Sequence, residues 1–346
     1  MRRRDLLCGA LALGGCAGMS NAEKKPPAVM AHRGASGERP EHTMAAYRRA
    51  IEQGADFIEP DLLVSKDGVL VCRHDDELST STDVAQHPEF AARQTTKVID
   101  GVSFTGWFVE DFTLAELKVL RCREPWPFFR PGSAAFDGQE PIVSFAELID
   151  LVRSSNVGLI AELKHVAYLR GCGFDSAALF AAAVRSAGGQ AAADRIWAQS
   201  FETAPLRALA GMSSLRFSLV QLIAPNTTAP DSVDPAALDG AALAAVASYA
   251  RGINVEKSLI IPRAPDGGAL PPTDLITRAH AVGLKVFAWT FRAENTFLPP
   301  ELRRGDPASP EHYRSHGDLD AELRAFYALG IDGVLCDYPS IAVAAR

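Results

Sequence analysis

The chain has 346 residues, 47% of them hydrophobic and 22% charged, which suits one large domain or two small ones and is too apolar for a disordered chain. A formal charge of -7 excludes a non-specific nucleic-acid binder, which needs a basic face. An anionic substrate would have to be drawn in by local cations and a metal, since the field of the whole molecule opposes it.

The first twenty residues, MRRRDLLCGALALGGCAGMS, have a basic start, a short apolar run and then small residues. This is the pattern of a signal peptide over residues 1–15, and it is too short to remain as a membrane span. Arg3 and Arg4 ahead of Leu6 and Leu7 resemble a twin-arginine export signal. Leu13, Gly14, Gly15 and Cys16 resemble a bacterial lipobox, in which cleavage leaves Cys16 as a lipidated first residue. A cleaved peptide without lipid is the competing expectation. Either way the chain is expected to be exported, periplasmic or anchored to a membrane through Cys16, with residues 16–27 as a tether.

From residue 28 onward, short β-rich runs alternate with Ala- and Leu-rich helical stretches. Strands are expected at residues 28–31, 57–64, 158–163, 195–200, 216–222, 252–256, 285–290 and 333–336. Most are continuously apolar, as parallel strands covered on both faces should be. Helical patterns fall between them, at 43–53, 145–154 and 321–329 for example, and Thr113 with Glu116 and Ser144 with Glu147 read as capping boxes. Eight such units predict an α/β (β/α)8 TIM barrel over residues 28–346. A doubly wound open sheet is the alternative, but no GxGxxG follows the first strand.

One stretch departs from the repeat. Ser65, Lys66, Asp67 and Gly68 carry turn chemistry, and residues 69–73 look like a further strand only a few positions on. A parallel return needs a crossover of a dozen residues or so, so this must be an antiparallel hairpin after the second strand. It would carry His74 back over the barrel mouth. Residues 77–139, rich in Ser, Thr, Pro and aromatics, fit no barrel unit and read as an insertion capping that mouth. Beyond the leader, Cys72 and Cys336 lie in apolar runs and Cys122 and Cys172 in loop-like sequence, so the last two are the candidate pair should any disulfide form, a point the sequence leaves open.

The chemistry concentrates between Ala31 and Asp76. Glu59 and Asp61 are alternate residues at the end of a strand, so both carboxylates face one way, and two acids this close repel unless a cation or proton lies between them. Glu162 ends another apolar strand in phase with Lys164. Three oxygen ligands from neighbouring strands suit calcium or magnesium rather than zinc or copper. The bland alternatives are a solvated acid pair and a salt bridge of no consequence. His32 and His74 each end an apolar strand, beside Arg33 and Asp75, and imidazole exchanges protons near neutral pH. Arg33 is the natural fork for phosphate oxygens, Lys164 adds a point charge, and Gly34 lets the backbone pass close to a ligand. Phe201 and Trp289 end strands and line either a substrate pocket or ordinary core. His42, His87, His165, His280, His312 and His316 read as structural or exposed.

The segments HRGA, PEHT, GAD-x-IE-x-D, SKDG and HDD, taken in order, resemble the signature of glycerophosphodiester phosphodiesterases. Further pieces match downstream: Glu162-Leu163-Lys164, Gln199-Ser200-Phe201, Trp289-Thr290, and Asp332 through Pro339. PEHT, residues 220–223 and the long insertion look most like the exported, periplasmic branch. The resemblance implies one divalent cation, calcium in that branch, held by Glu59, Asp61 and Glu162. It implies an acid/base pair at His32 and His74, with phosphate contacts at Arg33 and Lys164. The implied reaction converts deacylated phospholipids to glycerol 3-phosphate and an alcohol. His42 where many relatives have Asn, and Pro60 between the metal acids, depart from the pattern without removing a functional group. The rival readings are a phospholipase-like enzyme on intact lipid, cleavage of teichoic-acid glycerol phosphate, and a binding lipoprotein without activity.

Overall fold

The computed structural model describes residues 25–346; the leader, Cys16 and the tether as far as residue 24 lie outside the described residues. The strands are β1 (Ala28–His32), β2 (Phe57–Glu59), β3 (Asp61–Val64), β4 (Leu70–Cys72), β5 (Thr95–Ile99), β6 (Val102–Gly106), β7 (Gly158–Leu163), β8 (Ile196–Ser200), β9 (Leu219–Ile223), β10 (Gly252–Glu256), β11 (Lys285–Phe291) and β12 (Gly333–Cys336). The order runs β2-β1-β12-β11-β10-β9-β8-β7-β3, and β2 also pairs with β7, so the sheet closes on itself. With β2 and β3 counted as one interrupted strand, this is the predicted eight-stranded parallel barrel.

The interruption corrects the single strand expected at 57–64. Proline has no N–H to give a ladder, so the strand breaks at Pro60. The break stays in the sheet because the Pro60 carbonyl accepts from Glu162 N at 2.8 Å. Register passes from Ile58 opposite Leu159 to Asp61 opposite Glu162, which sets both carboxylates at one level. The strand expected at 216–222 also sits later, at Leu219–Ile223. The predicted hairpin is present: β4 runs antiparallel to β3, Leu62 facing Cys72.

Packing divides the molecule into layers. Apolar residues between the strands and the surrounding helices form one continuous cluster. Inside the barrel a separate layer is built from Met30, Ile160, Val220, Phe287 and Leu335. Glycines make room for it. A Cβ at Gly158 would lie 2.6 Å from the Phe57 ring, and one at Gly333 would lie 3.1 Å from Phe287. Both predicted capping boxes form, at Thr113–Glu116 and Ser144–Glu147, each contributing about 1 kcal/mol.

Residues 77–139 hold the hairpin of β5 and β6, short 3-10 turns and two one-turn helices. The segment is stitched to the barrel through Lys66 N to Phe112 O at 2.8 Å and through Arg130, described below. The candidate Cys122–Cys172 disulfide is not formed. Cys122 is a buried free thiol 3.4 Å from Arg73 Nη1, and Cys172 is exposed. None of the described helices is long and apolar enough to cross a membrane.

Candidate active site at the barrel mouth

Strand alternation delivers the site. One step of two residues beyond the apolar layer, Met30 gives way to His32, Phe57 to Glu59, Ile160 to Glu162 and Leu335 to Asp337. Because side chains two apart share a face, these groups all enter the barrel lumen at its C-terminal end, where barrel enzymes carry their sites.

The three acids converge as the sequence predicts. Glu59, Asp61 and Glu162 each offer a carboxylate oxygen, all within 4.8 Å of one another, and are 1%, 1% and 7% exposed. Burial, then repulsion from Asp61 and Glu162, pushes the Glu59 carboxyl well above the usual range. Burial likewise raises Glu162 to about 7, against the pull of Lys164. Burial would raise Asp61 too, but Lys164 and His42 hold it well below. Crowded buried carboxyls are what a divalent ion neutralises, and an all-oxygen donor set fits calcium or magnesium. The carboxylates are aimed by neighbours: Gln199 Nε2 to Glu59 Oε1 at 3.2 Å, Arg33 N to Glu59 Oε2 at 3.1 Å, and His42 Nε2 to Asp61 Oδ2 at 3.0 Å. Lys164 Nζ lies 3.2 Å from Glu162 and 3.8 Å from Asp61.

Both expected imidazoles are backed by a carboxylate. His32 Nδ1 is 2.6 Å from Asp337 Oδ1, and His74 Nδ1 is 2.6 Å from Asp75 Oδ1. A carboxylate only accepts, so each Nδ1 carries the hydrogen and each Nε2 is left with a lone pair. Burial, then Arg33, lowers both to about 4, so both rings are neutral bases at pH 7. Arg33 itself is held by Glu41 at 2.7 Å and approaches Asp61 at 3.3 Å. Its backbone is left-handed, φ 58, as is that of His42, φ 57, the kind of strain that tight surroundings impose at working sites. Gly34 serves a different purpose from the expected one. A Cβ there would meet the backbone of Ala46 at 2.8 Å, so it admits the helix Met44–Glu52 rather than a ligand.

Phe201 and Trp289 meet edge to face, ring centres 5.8 Å apart, and both are half-buried at the mouth. Sequence reasoning gave no role to Asp337, Glu41, Gln199, Arg130 or Arg292. Asp337 and Gln199 stood inside the quoted motifs, in phase with Leu335 and Trp197, and that phase was the available signal. Arg130 carried none: it comes from the insertion, is buried, and bonds Glu294 Oε1 at 2.6 Å, the Ser36 carbonyl at 3.1 Å and Asp337. His42, taken as structural, is fully buried between Tyr47 OH and the Asp61 carboxylate.

Comparison with known proteins gives one answer. The model described as the glycerophosphoryl diester phosphodiesterase family matches residues 32–341. A glycerophosphodiester phosphodiesterase of Arabidopsis thaliana is 34% identical over 340 residues, 92% of this chain and 87% of that protein. One of Treponema pallidum is 29% identical over 215 residues, 57% of this chain and 58% of that one. Among solved structures, an Oleispira antarctica phosphodiesterase in complex with the product sn-glycerol-3-phosphate has a similar fold, with TM-score 0.61 and 22% identity over 92% of this chain and 96% of that one.

Proposed function

The chain belongs to the glycerophosphoryl diester phosphodiesterase family, and from that premise we propose that it hydrolyses glycerophosphodiesters to sn-glycerol 3-phosphate and an alcohol, using His32 and His74 as its acid/base pair and a divalent cation on Glu59, Asp61 and Glu162. The observation that carries this reading is the pair of carboxylate-backed imidazoles beside one buried carboxylate triad. A cation on the triad, calcium in preference to magnesium, supplies positive charge where the phosphodiester places its non-bridging oxygens.

Everything else falls to the chain's own side chains. Arg33 offers a planar fork and Lys164 an ammonium to the phosphate. One neutral imidazole takes the proton of the glycerol 2-hydroxyl as its oxygen attacks phosphorus. The other takes a proton from solvent on Nε2 when the anionic diester binds, and gives that proton to the departing alcohol oxygen. Water then opens the cyclic phosphate with the two roles exchanged, which restores both rings. Asp337 and Asp75 fix the tautomers throughout.

The deciding measurement is a panel of soluble glycerophosphodiesters, with micellar phospholipid as a further arm, read by coupled detection of glycerol 3-phosphate with and without chelator. Turnover of the soluble diesters that chelator stops and calcium restores is expected. Chelator-resistant turnover would sink the metal assignment, and cleavage of intact lipid alone would sink the substrate class. We also propose export by the leader with lipid on Cys16. It rests on the sequence pattern, and Cys16→Ala should release the protein from the membrane fraction.

A further inference from the structure

Two guanidiniums share the Asp337 carboxylate that orients His32, and they are used differently. Arg130 is committed to the fold: Nε, Nη1 and Nη2 each have a partner, and its side chain is 3% exposed. Arg292 follows β11 directly and donates to Asp337 Oδ2 at 3.0 Å through Nε alone. Its Nη1 and Nη2 have no hydrogen-bond partner among the described residues, and the side chain is 18% exposed. Trp126, contributed by the insertion, and Phe297 pack against it with ring centres at 4.8 and 4.7 Å, and touch each other, so both lie on one side of the guanidinium. The cation is thus held by a carboxylate and two rings, with two unpaired donors left on a partly exposed side chain that shares its carboxylate with His32.

We propose that Arg292 selects the alcohol headgroup, donating from Nη1 and Nη2 to hydroxyl or carboxylate oxygens and disfavouring a quaternary ammonium. The proposal rests on the diesterase reading above. The proposal takes His32 as the ring that protonates the departing alcohol, because His32 and Arg292 share one carboxylate, and gives the apolar edge-to-face pair of Phe201 and Trp289 to the carbon side of the glyceryl moiety. The rings that elsewhere could cage an ammonium are already occupied by the guanidinium, which repels a second cation. Two N–H bonds from a charged donor are worth enough to shift kcat/KM by roughly tenfold or more.

The test compares kcat/KM for glycerophosphoglycerol and glycerophosphocholine in wild type, Arg292→Gln and Arg292→Lys, with circular dichroism confirming the fold. Wild type should prefer glycerophosphoglycerol by about tenfold or more. Arg292→Gln should bring the ratio towards one, chiefly through KM for the polyol diester. Arg292→Lys, which folds with its charge intact, should keep choline disfavoured but lose part of the polyol preference. An unchanged ratio with both substrates slowed equally would show that Arg292 only steadies Asp337, and would overturn the proposal. Failure of wild type to cleave any diester would instead remove the reading beneath it.

Discussion

The two ends of the barrel are built on the same strands by the same alternation, yet they do opposite things. At the N-terminal end the lumen is closed by Met30, Phe57, Ile160 and Phe287 packed over glycines. At the other end, two residues further along, it holds His32, Glu59, Glu162 and Asp337, with Lys164 a further two beyond Glu162, all buried. The apolar layer stabilises by removing surface from water; the charged layer does not, because ions taken from water regain at best what they lose. The comparison teaches that the lower half holds the frame rigid so that the upper half can keep several like charges within reach of one another.

Substitutions that separate the two layers should break this comparison or sharpen it. The largest effect belongs to the mouth. His32→Ala or His74→Ala should cut turnover by roughly 10²–10⁴-fold with little change in melting temperature, and near-normal rates in either variant would remove that residue from the mechanism. In the lower layer Phe287→Ala should do the reverse, costing about 3–5 kcal/mol in urea unfolding while residual activity follows the folded fraction. If Phe287→Ala folds normally yet is inactive, the division of labour is wrong.

Smaller effects probe the charges themselves. Glu162→Gln should weaken calcium by more than the roughly 10- to 100-fold known for groups that merely support a ligand, and an unchanged calcium titration would displace it from the triad. The smallest effect is on stability against pH. His32 is lowered in the folded chain to about 4 from 6.5, so between these values the unfolded chain binds a proton that the folded chain does not. Stability from this group is therefore full above 6.5 and falls as pH drops towards 4. His32→Asn should gain on wild type by about 2 kcal/mol between pH 7 and pH 5. Parallel curves would mean that His32 is not held neutral by its surroundings.

The legibility of the site followed the range of its contacts. Glu59, Asp61, His32 and Glu162 announced themselves because each is a polar group set in an apolar strand run, a signal contained in a few neighbouring residues. The hairpin that returns His74 was readable from one turn. Asp337 could not be tied to His32 in the same way, since the two are 305 positions apart and meet only because β12 closes the barrel against β1. Arg130 and Trp126 lie in an insertion whose path follows no periodicity, and the candidate disulfide failed because Cys122 is buried against Arg73 while Cys172 stays at the surface.

The sequence by itself determined the eight-stranded barrel, the hairpin, the capping boxes and which acids and imidazoles gather at one end of it, because period-two burial and turn chemistry are local. Barrel closure decided the rest: that Asp337 backs His32, that Arg130 is consumed by the fold, and that Arg292 keeps two unpaired donors. Those pairings depend on strand order and on where the insertion lands, and no local pattern encodes either.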